Sequence, residues 1–292
     1  MLEKFFLILL ISTVFNFNFL SSSTLEIQSD FPKKTGESFG VKINAKSAVV
    51  IDAKAKKILF EKEAHKKLPP ASLTKIMTVL VALDSNIKLD QPIKISEKSQ
   101  KMIERTVGLE KDEVVKVKDL IAGSLIASGN DAAQALVEAV SGSDISKFID
   151  KMNERAAKLN LVNTHFENPT GLDSENQFSS AYDLAIIFSE AMKNLTFREL
   201  IAKKNYEIIA ITPEKTHKFE TSNHLLRDDY PRVFGGKTGY TDNAGYCLIN
   251  LAKDKNNNQI ITVILGASLN EQHFQDTKAL IDWTYQNYKF QK

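Results

Sequence analysis

The sequence predicts an α/β fold: an antiparallel sheet assembled from the two ends of the chain and flanked by helices, with a mostly helical lobe inserted between. Three observations predict it. Runs of β-branched, partly alternating residues occur near residue 50 and again after residue 205, the middle third has helical periodicity, and no linker rich in Pro, Gly or Ser separates these parts. At 292 residues and 43% hydrophobic, the chain can bury a core of ordinary size.

Taken in order, the first segment differs in kind from the rest. "MLEKFFLILLISTVFNFNFLSSSTLE" has a long apolar run followed by small polar residues, so residues 1–24 are expected to be an export signal or an N-terminal anchor. The folded domain is expected over 25–292, with a sheet lobe at about 40–85 and 200–292 and a helical lobe at about 86–199. "SAVVIDAKAKKILFEKEA" predicts two strands joined by a turn at Ala53 to Lys56. The prolines of "KKLPPASLTKIMTVLVALD" stop that extended segment, and Ser72 to Asp84 is apolar over helical length, as in a helix buried nearly all round.

Helical patterns continue in "VKVKDLIAGSLIAS", "DAAQALVEAVSG", "SDISKFIDKMNERAAKLN", capped by Ser143 or Asp144, and "SSAYDLAIIFSEAMKN". The turn-rich "ENPTGLDSENQ" separates the last two. Strands return with "YEIIAI", "VFGGKTGY", "GYCLINLAK" and "QIITVILGAS", and a helix from about Asn270 to Tyr288 closes the chain.

Charge and composition narrow the function. A net charge of +2 with acids and bases interspersed gives no electrostatic footprint for nucleic acid. The single cysteine, Cys247, sits in an apolar run and reads as a buried structural thiol, and the five histidines show no metal-ligand spacing. No metal and no cofactor are expected.

Three polar motifs stand in apolar surroundings. In "SLTK", Ser72 and Lys75 are three apart and share a helix face, and a lysine beside Ile76, Met77 and Leu80 is desolvated, which lowers an amine's pKa toward a range where it accepts protons. "SGND" puts Ser128 and Asn130 on a turn between helices. "KTG", Lys237 to Gly239, lies on a strand, where Lys237 and Thr238 offer a point charge and a hydroxyl to an anion, and Gly239 leaves room for another backbone. A phosphate loop is excluded there, because Pro231 stands where its first glycine belongs and a strand, not a helix, follows. Each motif alone also fits a plain reading: an N-cap, an inter-helix turn, a bulged strand edge.

Their order and settings are more specific than any one of them. S-x-x-K, S-x-N and K-T-G in this sequence are the motif set of penicillin-binding proteins and serine β-lactamases. Together with "LPPASLTKIMT", "LIASGNDAAQALVE", "NPTGLD", "SSAYDLA" and "GGKTGYTDNAGYCL", the chain closely resembles the D-alanyl-D-alanine carboxypeptidase family of low-molecular-weight penicillin-binding proteins from about Ser47 onward. The resemblance implies a serine β-lactamase/D,D-peptidase-like fold and a D,D-carboxypeptidase acting on peptidoglycan stem peptides, with β-lactams as covalent inhibitors. D,D-endopeptidase cleavage of crosslinks, or a penicillin-binding sensor with poor turnover, are the alternatives.

By the same resemblance, Ser72 is the nucleophile, Lys75 its base and Ser128 a proton relay to the leaving amine. Asn130 holds the substrate's peptide amide, Lys237 and Thr238 grip its terminal carboxylate, and the backbone N–H groups of Ser72 and Tyr240 hold the oxyanion. Lys237 is expected at a partly exposed strand edge, charged throughout the working pH range. Gly245 and the "NPTGL" turn are expected to shape the cleft without a chemical part.

Departures from the family pattern also yield expectations. Gln177 and Phe178 precede Ser179 where the family commonly has a histidine. The longer members' second, all-β domain and amphipathic C-terminal anchor are not seen before Lys292, so membrane association is expected through the N-terminus. No Glu-x-x-Leu-Asn spacing is present, so efficient lactam hydrolysis is not expected.

Overall fold

A computed structural model describes residues 32–36 and 40–290; the signal or anchor expected at 1–24 lies outside them. A two-residue strand, β1 (Lys33–Lys34), precedes the hairpin of β2 (Ser47–Asp52) and β3 (Ile58–Lys62). A single 3₁₀ turn, Ala71–Leu73, leads into α1 (Thr74–Asp84). Next come β4 (Pro92–Lys94), α2 (Glu97–Gln100) and β5 (Val114–Lys116), then α3 (Val117–Ile126), α4 (Asn130–Ser141), α5 (Ile145–Lys158), α6 (Ala181–Ala191) and α7 (Leu195–Ile201). The ribbon β6 (Asn205–Ile209) and β7 (Thr216–Glu220) and the short α8 (His224–Arg227) precede three long strands, β8 (Val233–Thr241), β9 (Gly245–Lys253) and β10 (Gln259–Ala267). The chain closes with α9 (Gln272–Asn287) and β11 (Tyr288–Lys289), which pairs with β1.

The central sheet has the order β3-β2-β10-β9-β8, antiparallel throughout, so strands from both ends of the chain meet at the β2–β10 pair. Successive side chains on a strand point to opposite faces. Accordingly Val49, Ile51, Ile249, Val263 and Leu265 join one core with α1, α3, α4 and α6, while Ala48, Val50, Leu248, Ile260 and Ile264 join another with Phe274, Leu280 and Ile281 of α9. Both faces are covered, which is why β2 is buried at every position.

"YEIIAI" departs from the expectation. Its strand, β6, pairs with β7 as a separate two-stranded ribbon and does not join the sheet. One face is buried through Ile208, while Ile209 is left 58% exposed, a one-sided pattern that does not suit a sheet covered on both faces. Asp144, of the two residues weighed, caps α5 by accepting from Lys147 N. Cys247 is buried and its thiol is pushed up to about 12 by desolvation, as befits an inert core residue.

Among the described residues no helix is long and apolar enough to cross a membrane, and no group of three or more His, Cys, Asp or Glu is arranged to hold a metal.

Candidate active site

The site forms where the 3₁₀ turn before α1, the α3–α4 turn and the free edge of β8 meet. Ser72 lies in that 3₁₀ turn and not at the N-cap of α1, which is Leu73. Ala71 just before it is left-handed at φ +49°, an uncommon conformation for a residue with a side chain. Two glycines explain how the turn is held. Gly171, at φ +89°, lies so close that a Cβ there would sit 1.9 Å from the Ala71 carbonyl oxygen. A Cβ on Gly239 would sit 3.0 Å from Ser72 N, so β8 runs directly against the turn.

Lys75 is fully buried, and its Nζ lies 2.8 Å from Ser72 Oγ while donating to the Thr170 carbonyl at 2.7 Å. Burial lowers its pKa to about 7; the nearby Arg105 charge works in the same direction, against Glu104 and Asp131. An amine that is half neutral near pH 7 and in contact with a serine hydroxyl is equipped to take its proton. Thr170 belongs to "NPTGL", so the turn does more than shape the cleft: its backbone carbonyl positions Lys75. Asn168 Oδ1 accepts from Thr170 N and Gly171 N, and Gln177 binds Glu167 N, Asn168 N and the Leu172 carbonyl. Gln177, one of the two residues that precede Ser179 where the family commonly has a histidine, therefore staples this loop.

Ser128 is left-handed at φ +67° and 2% exposed. Its Oγ accepts from Lys237 Nζ at 2.8 Å, and Lys237 also donates to the Thr238 carbonyl at 2.7 Å. This corrects the expectation for Lys237. Although β8 is an edge strand, Lys237 is 1% exposed, covered by the Ser128 turn, and its pKa is pushed well down by burial and then by the charges of Lys75 and Arg105. The strand edge at Lys237 is therefore covered and not open.

Asn130 is buried, with Nδ2 donating to the Ile103 carbonyl and its backbone N–H to the Arg105 carbonyl. Thr238 is hydrogen-bonded through its hydroxyl to Ser222 Oγ. Gly239 abuts Ser72, and Tyr240, 49% exposed, donates its hydroxyl to Asp242. A cavity of about 660 Å³ is lined by Ser72, Ser128, Asn130, Thr238, Gly239 and Tyr240, among others. All eight residues singled out from the sequence thus converge, six on the cavity and Lys75 and Lys237 directly behind Ser72 and Ser128.

Sequence reasoning passed over three contributors. Asp131 accepts from the N–H groups of Val107, Gly108, Leu109 and Ala132, pinning the loop that carries Glu104 and Arg105 into the cleft. Its signal was the last letter of "SGND". Ser222 and the Thr170 carbonyl gave none, the first being one serine among many and the second a backbone atom.

Known proteins resemble both sequence and structure. Residues 33–269 match the family described as D-alanyl-D-alanine carboxypeptidase. The D-alanyl-D-alanine carboxypeptidase DacF of Bacillus subtilis is 38% identical over 250 residues, 84% of this chain and 63% of that one. The D-alanyl-D-alanine endopeptidase of Pseudomonas aeruginosa is 32% identical over 291 residues, 94% of this chain and 87% of that one. The DD-transpeptidase of Streptomyces K15 superposes with a TM-score of 0.80 at 29% identity, covering 85% of this chain and all of that one. The chain spans 63% and 65% of the lengths of the DacF and DacA carboxypeptidases it matches.

Proposed function

The chain belongs to the D-alanyl-D-alanine carboxypeptidase family, and from that premise we propose that it is a serine-type D,D-carboxypeptidase that trims the terminal D-alanine from peptidoglycan stem peptides. Neutral Lys75 takes the Ser72 proton as Oγ attacks the carbonyl between the two D-alanines. A Ser72–acyl bond forms, the C–N bond breaks, and the leaving amine receives its proton by way of Ser128; water then hydrolyses the ester. Backbone N–H groups of Ser72 and Tyr240 hold the oxyanion, and Asn130 holds the substrate amide. The terminal carboxylate arrives beside Thr238 and Lys237, and its opposite charge favours the ammonium form of Lys237.

The observation that supports this most is the 2.8 Å contact between Ser72 Oγ and a fully buried Lys75 with a pKa of about 7. Replacing Ser72 tests it: Ser72→Ala abolishes covalent labelling by a fluorescent penicillin, whereas a labelled variant would place the nucleophile elsewhere. Cleavage of a crosslink by the same residues is the second reading, favoured by the P. aeruginosa endopeptidase, which matches over most of both chains. Mass analysis of products separates them: free D-alanine from a pentapeptide, monomers from a crosslinked dimer. We place the enzyme outside the cytoplasm, where this substrate lies, and the apolar run in residues 1–24 supports export or an N-terminal membrane anchor.

A further inference from the structure

The carboxylate end of the cleft does not stop at Thr238. Its hydroxyl contacts Ser222, and two residues further His224 opens α8. From His224 aromatic rings follow in series. His224 stacks on Phe274 with centroids 4.8 Å apart, Phe274 lies 4.0 Å from His273, His273 stacks on Tyr246 at 5.3 Å, and Tyr246 lies 4.5 Å from Tyr240. Four elements, α8, α9, β9 and β8, supply these five rings, and all five line the cavity that contains Ser72.

The rings form a wall with a dry back and a wet rim. Phe274 and His273 are buried, whereas Tyr240, Tyr246 and His224 are at least partly exposed. Burial pushes His273 down to about 4, so at neutral pH it is an uncharged ring, and its Nδ1 is buried without a partner. An orphaned buried nitrogen is costly to leave unpaired, so the site keeps this ring at some expense to stability. At the rim, His224 Nδ1 pairs with Glu271, and Asn270 and Asp242 face the cavity.

A leaving D-alanine extends only a methyl group beyond its carboxylate, too little to cover this wall. The amine end of a peptide crosslink made through a diamino-diacid offers more: a D-configured carbon that carries a carboxylate and a long aliphatic chain leading to a second stem. We propose that the wall of Tyr240, Tyr246, His273, Phe274 and His224 is a leaving-group subsite that seats this aliphatic chain while Thr238 and Ser222 receive the carboxylate. The inference rests on the D,D-peptidase reading and deepens it, adding leaving groups with long aliphatic chains to those the same site accepts. The bond changes are those given above, with the crosslink amine as the leaving group that takes the proton.

The test uses the purified full chain and one acyl donor with the leaving residue varied from D-alanine to D-norleucine and D-lysine, alongside a crosslinked dimer. Each methylene seated on the wall is worth roughly fourfold. D-norleucine and D-lysine are therefore expected to exceed D-alanine at least about tenfold in kcat/KM, and the dimer to be cut alongside the pentapeptide. His224→Ala and Tyr246→Leu should each bring the D-norleucine to D-alanine ratio down toward one. If D-alanine is released but lengthening the leaving chain gives no gain, or the gain survives both substitutions, the subsite is refuted while the peptidase stands. If Ser72 takes no penicillin and no substrate is cut, the parent reading falls, and this one with it.

Discussion

Lys75 and Lys237 are held in the same way but sit among neighbouring charges of different sign. Each is buried, and each ammonium has one serine hydroxyl at 2.8 Å and one backbone carbonyl at 2.7 Å. Burial depresses both. Glu104 and Asp131 then pull Lys75 back up, to about 7, whereas the other charges acting on Lys237 are Lys75 and Arg105, and both drive it further down. Equal hydrogen bonding therefore gives two roles. Lys75 is poised to exchange a proton at working pH, and Lys237, pushed down by two neighbouring cations, has its ammonium form favoured by the anion it meets. The two also differ in support: a strand edge fixes Lys237, while Lys75 depends on the Thr170 carbonyl, held by a loop that touches the Ser72 turn.

The strongest way to break the comparison attacks that support. Gly171→Ala places a methyl group where the Ala71 carbonyl stands, at a φ of +89° that alanine resists. Either the Ser72 turn or the Thr170 carbonyl must move, and misplacement by about 1 Å can cost on the order of 10²-fold in rate. Penicillin acylation should fall by about that factor while the β8–β9 ladder under Lys237 stays intact. A rate within a few-fold of wild type, with the thermal midpoint unchanged, would show that the loop does not position Lys75.

Replacing Lys237 sharpens the contrast. Lys237→Met should lower kcat/KM by about tenfold or more for substrates with a free terminal carboxylate and much less for amidated ones. Stability should move the other way. A lysine whose pKa is depressed in the fold binds fewer protons there than in the unfolded chain, so it destabilises most at low pH, and that cost fades as pH rises toward the ordinary lysine value near 10.4. The variant should therefore melt higher than wild type at pH 6, with the difference shrinking toward pH 10. Equal midpoints across that range would mean that Lys237 is hydrated and charged in the fold.

How much of this was legible in the sequence differs between the same two residues. Lys75 was readable because its partner Ser72 is one helical turn away and its apolar neighbours are adjacent in sequence. The burial of Lys237 was not, because what covers it, the Ser128 turn, lies 109 positions away in the chain. An edge strand read alone looks open. The strands of the main sheet were legible from β-branched, partly alternating runs, but "YEIIAI" has the same local signature and forms a separate ribbon, since pairing partners are not written into a strand. The motif residues carried the site, and the backbone of Thr170 stayed silent because side-chain patterns say nothing about which carbonyl a fold will use.

The smallest expected effect is also the most discriminating. Repulsion between two cations is mutual, so Lys237→Met should raise the pKa of Lys75 and move the rising limb of the acylation–pH profile to higher pH. Asp131 has the opposite sign: its carboxylate favours the charged form of Lys75. Asp131→Asn should therefore lower that pKa and move the same limb to lower pH. It should also loosen the 107–109 loop, whose three N–H groups lose a charged acceptor, so the plateau rate is expected to drop several-fold. The two consequences separate in one experiment, because a loosened loop alters the plateau and a changed field alters the midpoint. Stopped-flow acylation from pH 5 to 9 reads both. If the two substitutions moved the midpoint in the same direction, Lys75 would not be the titrating base, and the limb would belong to another group.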